Sequence, residues 1–182
     1  MPSVDLLDDT PLSQKTFLGI DPGSSGGLAW VTSDGKVHAV RSMPNSDREL
    51  LNLLKTIAPV KFAVVEKVGG YTGEGQPGSA MFNFGVGVGK ILMALTALEI
   101  PFEQVMPQKW QKVYSMSRKK GEKKTAWKAR LKEVAARLFP AVKVTLNISD
   151  ALLISEYARR VHNGDTVEEV LSRKLEKKIS LS

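Results

Sequence analysis

Three acidic residues stand where a metal ion could be bound. Asp21 directly follows the apolar run 17–20, and Glu66 directly follows the apolar run 62–65. A carboxylate at the end of a buried strand is costly unless it is paired or bound to a metal ion. Asp150 begins a third apolar segment, 150–157, which has helical character. We therefore consider these three side chains as one candidate site.

Two of the three acids also have an ordinary interpretation. Asp21 precedes Pro22-Gly23, as residues that cap turns often do, and Asp150 suits the first turn of a helix, where it would interact with the helix dipole. As a set, the three carboxylates suit Mg²⁺, with Mn²⁺ as a substitute, held together with water and phosphate oxygens. Two such ions can activate water for phosphodiester hydrolysis without a covalent nucleophile.

The elements between these acids predict how they meet. Residues 17–20 and 62–65 form buried strands, and a helix that begins after Ser46 and ends near Pro59 connects them; Glu49 completes a capping box with Ser46. Such a β-α-β unit is right-handed with parallel strands, so both acids lie at the same sheet edge. If the two strands are neighbours, about 5 Å apart, the two carboxylates can share an ion.

The remaining pattern predicts an α/β fold with one domain over residues 16–163. Residues 27–32 and 36–41 form a hairpin around Asp34-Gly35, with a tight primed turn in which both residues have positive φ. A long helix, 81–99, is apolar on most sides and is either deeply buried or part of a dimer contact. A strand at 102–106, a basic amphipathic helix at 126–139 and a last core helix at 149–161 follow. Residues 1–15 are expected to be a flexible tail, and 164–182 a helix that docks or pairs.

Positive charge is concentrated in one part of the chain. Residues 109–132, the basic segment, carry ten Lys or Arg and one acid, Glu122, so their net charge of +9 exceeds the +7 of the whole chain. A solvated loop is one interpretation. The other is a polyanion partner, because lysine and arginine contact phosphates and the nearby aromatic residues Trp110, Tyr114 and Trp127 could stack on bases.

Several classes of function are disfavoured. The chain has no cysteine, which excludes disulfides, thiolate zinc sites and cysteine nucleophiles. No apolar run approaches the roughly 20 residues of a membrane span, so no membrane partner is expected. The glycines of residues 85–90 fit neither the Walker nor the dinucleotide template, so no nucleotide cofactor is expected. His38 is predicted to face solvent from a strand and His162 to end a helix, and neither is assigned to catalysis.

The order of these motifs resembles one family. Four motifs, namely Gly-Ile-Asp21-Pro-Gly, Val-Val-Glu66, a Pro-led basic stretch from Pro107 to Lys124 and Asp150-Ala-Leu, resemble the RuvC superfamily of Holliday junction resolvases over residues 16–161. The run from Asp150 to Arg160 is most similar to phage and chloroplast-type members. The resemblance implies a ribonuclease-H-like fold with a five-stranded mixed sheet flanked by helices. It also implies a homodimer and Mg²⁺-dependent cleavage of four-way DNA junctions, with Asp21, Glu66 and Asp150 as metal ligands.

The resemblance further implies where such a protein acts and which residues bind DNA. The expected location is the cytoplasm or nucleoid of a bacterial or phage system, or an organelle such as the chloroplast if a transit peptide has been removed. The expected DNA-binding residues follow Glu66, begin the long helix or belong to the basic segment: Lys67, Tyr71, Phe82, Lys109, Lys112, Arg118, Lys119, Lys120, Lys123 and Lys124.

Two departures from the family pattern leave questions open. The fourth acid that RuvC proteins often carry, three positions before the helix aspartate, is Asn147 here, which we include among the catalytic candidates. Asn147 reflects an engineered inactive protein, natural variation, or a member that binds junctions without cutting them. The aromatic wedge expected after Glu66 is replaced by Gly69 and Gly70, so Tyr71 or Phe82 would have to supply it, unless both belong to the core.

Two alternatives to a resolvase therefore remain. One is a non-catalytic junction-binding protein on the same fold. The other is a ribonuclease H that acts on RNA–DNA hybrids, which is disfavoured because the long apolar helix favours a dimer.

Overall fold

A five-stranded mixed sheet forms the centre of the computed structural model, which describes residues 15–67 and 78–163. The elements in chain order are β1 (Thr16–Asp21), β2 (Gly27–Thr32), β3 (Val37–Ser42), α1 (Asp47–Thr56), β4 (Val60–Glu66), α2 (Gly78–Ala97), β5 (Phe102–Val105), α3 (Pro107–Lys112), α4 (Lys124–Leu138) and α5 (Leu146–His162). Tyr71 and the predicted C-terminal helix lie outside the described residues, as does nearly all of the predicted N-terminal tail.

The sheet has the strand order β3-β2-β1-β4-β5. β1, β2 and β3 form an antiparallel meander, while β4 pairs parallel with β1 and β5 pairs parallel with β4. The predicted α/β class, the mixed five-stranded sheet and the adjacency of the two acid-bearing strands are all confirmed.

Alternation along β1 divides the core into two layers. Phe17 packs on the face covered by α3, α4 and α5, whereas Leu18 and Ile20 pack on the face covered by α1 and α2. Successive side chains of a strand point to opposite faces, so a strand that is covered on both sides is apolar throughout. This arrangement explains why the run 17–20 shows no polar alternation.

The capping box predicted at the start of α1 is confirmed, whereas the turn type predicted for the hairpin of β2 and β3 is wrong. The Ser46 side chain accepts a hydrogen bond from the Glu49 amide (3.2 Å), as the capping box predicts. In the hairpin, only Gly35 has positive φ (89°), so the predicted primed turn is wrong. The Gly35 amide donates to Thr32 O (2.9 Å), and the turn is a three-residue one whose last residue alone needs the left-handed conformation.

Both histidines are buried. His38 was expected to face solvent, but its ring lies under α1 and its Nε2 is 3.1 Å from the carbonyl oxygen of Ile57. His162 does end α5, and there it stacks on Phe62 and pairs with Glu103. Each histidine therefore holds neighbouring elements together, away from the sheet edge that carries Asp21.

The long helix α2 is more exposed than expected. Only Ile91 and Leu95 are buried, while Phe82 is 71% exposed and Met93 is 64% exposed. By length and composition α2 could cross a membrane, which corrects the expectation that no segment is apolar enough. Of the two interpretations given for this helix, deep burial is wrong for the described chain.

Gly19 is the point at which β1 and α5 touch. A Cβ built on Gly19 would lie 2.2 Å from the Ser155 amide nitrogen and 2.3 Å from the Ala151 carbonyl oxygen, both of which are helix backbone. No side chain can be accommodated at these distances without moving α5. The Ser155 hydroxyl stabilises this close contact by donating a hydrogen bond to the Phe17 carbonyl oxygen (2.7 Å).

We predict that Gly19→Ala lowers the free energy of unfolding by about 3 kcal/mol or more, because it overpacks a rigid backbone contact. Gly87→Ala on α2 is the matched control. A Cβ there meets nothing within 4 Å, so this substitution should stabilise the protein slightly, by up to about 1 kcal/mol. Urea denaturation of the three proteins measures both effects, and equal stability of the Gly19 variant and the parent would contradict the packing described.

Candidate functional site

The register of β1 and β4 brings Asp21 and Glu66 together. Ile20 pairs with Val65, so the residues that follow them lie side by side at the carboxyl edge of two parallel strands. The Gly23 amide approaches Asp21 Oδ1 at 3.4 Å, and Trp110 Nε1 donates to Glu66 Oε2 at 2.8 Å. The adjacency predicted from the two strands is confirmed.

Helix α5 brings Asp150 to the same edge. It begins at Leu146, so Asp150 lies one turn inside the helix and not in its first turn, where a helix-dipole role was considered. Asp150 is only 3% exposed, accepts a hydrogen bond from Ser149 Oγ (3.2 Å), and forms an ion pair with the Lys128 ammonium of α4. We refer to Asp21, Glu66 and Asp150 together as the acidic cluster.

The carboxylates of the acidic cluster influence one another's ionisation. Burial, together with the charges of Asp21 and Asp150, raises the pKa of Glu66 from 4.5 to about 7. Burial and the charge of Asp150 likewise raise the pKa of Asp21, against the opposing effect of Lys128. Carboxylates that repel each other in this way favour any cation that can be placed between them.

Lys128 responds to the same charges. Burial lowers the pKa of its ammonium, but attraction to Asp150, Asp21 and Glu66 outweighs burial and raises that pKa above its ordinary value. Lys128 is therefore positively charged at neutral pH, and it is the nearest cation to Asp150 that the described residues provide.

The donor chemistry of the acidic cluster fits Mg²⁺, which prefers carboxylate oxygens. The arrangement fits it less fully: within residues 15–67 and 78–163, no group of three histidine, aspartate or glutamate side chains is placed to hold one ion. Asp21 and Glu66 form the adjacent pair, while a carboxylate oxygen of Asp150 is engaged by Lys128. An ion would thus be held first by the pair from β1 and β4.

An open groove of about 900 Å³ leads to this edge. Asp21, Lys128 and Asn147 line one end, and residues of α1 and α2, among them Asp47 and Lys90, line the other. Asn147 is exposed and faces the groove, but Thr145, not Asn147, is the N-cap residue of α5. Asn147 therefore does not cap this helix.

The expected DNA-binding residues that the structure describes are all exposed. They are Lys67, Phe82, Lys109, Lys112, Arg118, Lys119, Lys120, Lys123 and Lys124. Within the loop before α4, Glu122 organises the chain by pairing with Arg130 (2.9 Å) and accepting from the Lys119 amide (3.0 Å). Since Glu122 is engaged in this way, the neighbouring lysines project into solvent without a close acidic partner in the described chain.

The aromatic residues of the basic segment are packed within the protein and do not offer surfaces for stacking on bases. Trp110 is fully buried, Trp127 is buried in the core, and the Tyr114 hydroxyl donates to the Leu153 carbonyl oxygen (2.5 Å). The expectation that they supply base-stacking surfaces is therefore wrong. They instead anchor α3 and α4 to α5 and β4.

Sequence reasoning missed two site residues, Trp110 and Lys128. Both were counted in the basic segment, one as an aromatic and the other as one of ten positive charges. Helical spacing gave a partial signal for Lys128, since it follows Trp127 on the face of α4 that also buries Leu131. Nothing in the chain pattern links Trp110 to Glu66, because 44 residues separate them.

The sheet order and the flanking helices define an α/β protein of the ribonuclease-H-like class. Among solved structures, RuvC of T. thermophilus in complex with a Holliday junction substrate aligns with a TM-score of 0.60 and 16% identity, over 82% of this chain and 97% of that chain. A second Thermus thermophilus RuvC structure gives 0.58 and 14%, over 82% and 96%. The chain therefore has the RuvC fold. No protein-family model and no curated protein matches it.

The raised pKa of Glu66 predicts a pH effect on stability in the absence of divalent ions. Native Glu66 binds its proton up to about pH 7, whereas the unfolded side chain loses it near 4.5. The native state then holds the extra proton between these values, so the free energy of unfolding falls as pH rises through this window, by about 3 kcal/mol from Glu66. Denaturation in EDTA from pH 4 to 8 measures it. In Glu66→Gln the fall should be smaller by that amount, and parallel curves would show that Glu66 is not coupled to the cluster.

Proposed function

We propose that this protein is a Holliday junction resolvase, a structure-selective endonuclease that hydrolyses phosphodiesters of four-way DNA junctions with Mg²⁺ as its metal and Mn²⁺ as a substitute. The observation that carries the proposal is the convergence of Asp21, Glu66 and Asp150 at one sheet edge. The RuvC fold supports it, since one of the solved neighbours is bound to a Holliday junction substrate.

The acidic cluster is well suited to binding a hard cation beside a phosphate. Asp21 and Glu66 would hold the ion, and Asp150 would add negative charge behind them. When bound, Mg²⁺ supplies an activated water and neutralises charge that develops on the phosphate oxygens. Trp110 orients the Glu66 carboxylate by its hydrogen bond, which leaves the other oxygen free for the ion.

The basic segment would bind the DNA backbone close to this edge. Lys124 starts α4 and its charge reaches Asp21, while Lys119, Lys120 and Lys123 extend the positive surface along the preceding loop. Lysines release counterions from phosphates without reading base sequence, which is suited to a protein that selects DNA by shape. Phe82 is exposed at the start of α2, where it would contact unpaired or splayed bases.

We further propose that α2 mediates a homodimer. Val86 and Met93 are exposed apolar side chains of this helix, and the Cβ positions of Gly85 and Gly89 are open, so another backbone could approach closely. A twofold dimer would place two acidic clusters on the symmetric strands of a junction.

A second function, junction binding without cleavage, is favoured by two observations. Asn147 replaces a carboxylate at the groove, and Lys128 already neutralises Asp150. Both reduce the charge available to hold divalent ions. A ribonuclease H acting on hybrids is the remaining alternative, and the assay below includes its substrate.

Asp21→Asn should abolish Mg²⁺-dependent cleavage of a labelled four-way junction, by about 100-fold or more, while junction affinity stays the same or increases. The reason is that the substitution removes a metal ligand and also reduces repulsion of phosphates. Single-turnover cleavage and gel-shift titrations of junction, linear duplex and RNA–DNA hybrid measure both quantities.

Asp47→Asn is the matched control, because Asp47 lines the far end of the same groove and pairs with Lys90 (2.8 Å). It should cleave at a rate close to that of the parent. An inactive parent that binds junctions tightly would establish the non-catalytic function, and loss of cleavage and binding together in Asp21→Asn would make Asp21 structural.

Changing Lys119, Lys120 and Lys123 to Gln should weaken binding to all DNA and reduce the slope of log affinity against log salt by up to about 3, since each phosphate contact contributes about 0.9. The control changes Lys36, Lys55 and Lys61, which lie at the opposite end of the sheet, and should leave the slope as it is. Equal slopes in both triple variants would show that the basic segment is a solvated loop and does not contact DNA phosphates.

Val86→Asp with Met93→Asp should convert the dimer to a monomer, because charges would be buried in the contact of α2. Sedimentation velocity at micromolar concentration measures this. A parent protein that is itself monomeric would contradict the proposed dimer.

A further inference from the structure

Lys128 is placed differently from the other lysines of the basic segment. Its side chain is about one third exposed (32%), and its ammonium pairs with the nearly buried carboxylate of Asp150. Its charge also acts on Asp21 and Glu66. The charge of Lys128 thus acts on all three members of the acidic cluster, whereas Lys124 is exposed and acts more weakly on Asp21.

The charges of the site set how many divalent ions it can hold. When a cation binds and displaces the proton of Glu66, the three carboxylates carry −3, the amide of Asn147 adds nothing, and the Lys128 ammonium brings the total to −2. This equals the charge of one Mg²⁺. Two such ions would leave an excess positive charge of two inside a partly buried site, which Coulomb repulsion disfavours.

The contacts of the three carboxylates also favour one divalent ion over two. Asp21 and Glu66 lie side by side and are free to share an ion, whereas Asp150 is bonded to Lys128. No three acids or histidines of the described chain are placed around one point. A second ion would have to displace the Lys128 ammonium from Asp150.

We propose that this site binds one divalent ion, between Asp21 and Glu66, and that the Lys128 ammonium takes the place of the second ion at Asp150. In this arrangement the Lys128 ammonium neutralises Asp150. Because a lysine stands there in place of a second ion, no fourth carboxylate is needed, and the neutral side chain of Asn147 is compatible with the site. The inference rests on the metal dependence given under the proposed function, and it specifies the number of ions.

The count is tested by titrating the full-length protein with Mn²⁺, with free ion measured by electron paramagnetic resonance and heat by calorimetry, in the absence of DNA. The parent should bind one Mn²⁺ per protomer at this site. Lys128→Met keeps most of the side-chain stem and removes the charge, so it should bind Mn²⁺ about tenfold more tightly or more. Lys128→Met with Asn147→Asp should bind two.

Two variants control for folding and for charge alone. Lys132→Met removes an exposed charge from the same helix and should still bind one Mn²⁺ with parental affinity. Lys128→Arg retains the positive charge and should also bind one, so it reports on the inference even if Lys128→Met is unstable.

Two Mn²⁺ per protomer in the parent, or parental affinity and stoichiometry in Lys128→Met, would overturn the inference while leaving the proposed nuclease function intact. If the parent binds no Mn²⁺ that Asp21→Asn abolishes, the inference fails, and the proposed nuclease function fails with it if the parent also cleaves no junctions. Junction cleavage by the parent, measured separately, distinguishes these two failures.

Discussion

The close contact between β1 and α5 is the constraint on which the site depends. Gly19 lets the helix backbone approach the strand so closely that no Cβ fits between them, and Ser155 fastens the contact from the helix side. Asp21 lies two residues beyond Gly19 on the strand, and Asp150 lies next to Ala151 on the helix. The backbone packing therefore brings together two carboxylates that would otherwise repel each other.

Repulsion within the acidic cluster must be offset, and the structure does so with two side chains. Trp110 donates a hydrogen bond to Glu66, and Lys128 forms an ion pair with Asp150. Together, these two interactions stabilise the carboxylates at the sheet edge, but they offset only part of the repulsion between them. That remaining repulsion would favour a bound cation, and the nearby positive surface would favour phosphate, as proposed above.

Sequence reasoning reached the parts of the site that depend on local rules. A β-α-β unit dictates parallel strands, so the meeting of Asp21 and Glu66 followed from two apolar runs and one helix. Side chains whose partners are distant in the chain were misread. His38 was expected in solvent, the aromatic residues on DNA, and Lys128 on a basic surface. These expectations failed because each side chain is buried or paired by an element that no local pattern specifies.

The central claim is that Asp21 and Glu66 bind a divalent cation at the carboxyl edge of β1 and β4. Diffraction from crystals grown with Mn²⁺, with data collected for the anomalous signal of manganese, tests this most directly. The account predicts an anomalous peak within coordination distance of both carboxylates, and its loss in Asp21→Asn. A structure that contains Mn²⁺ elsewhere but none between these two side chains would contradict it.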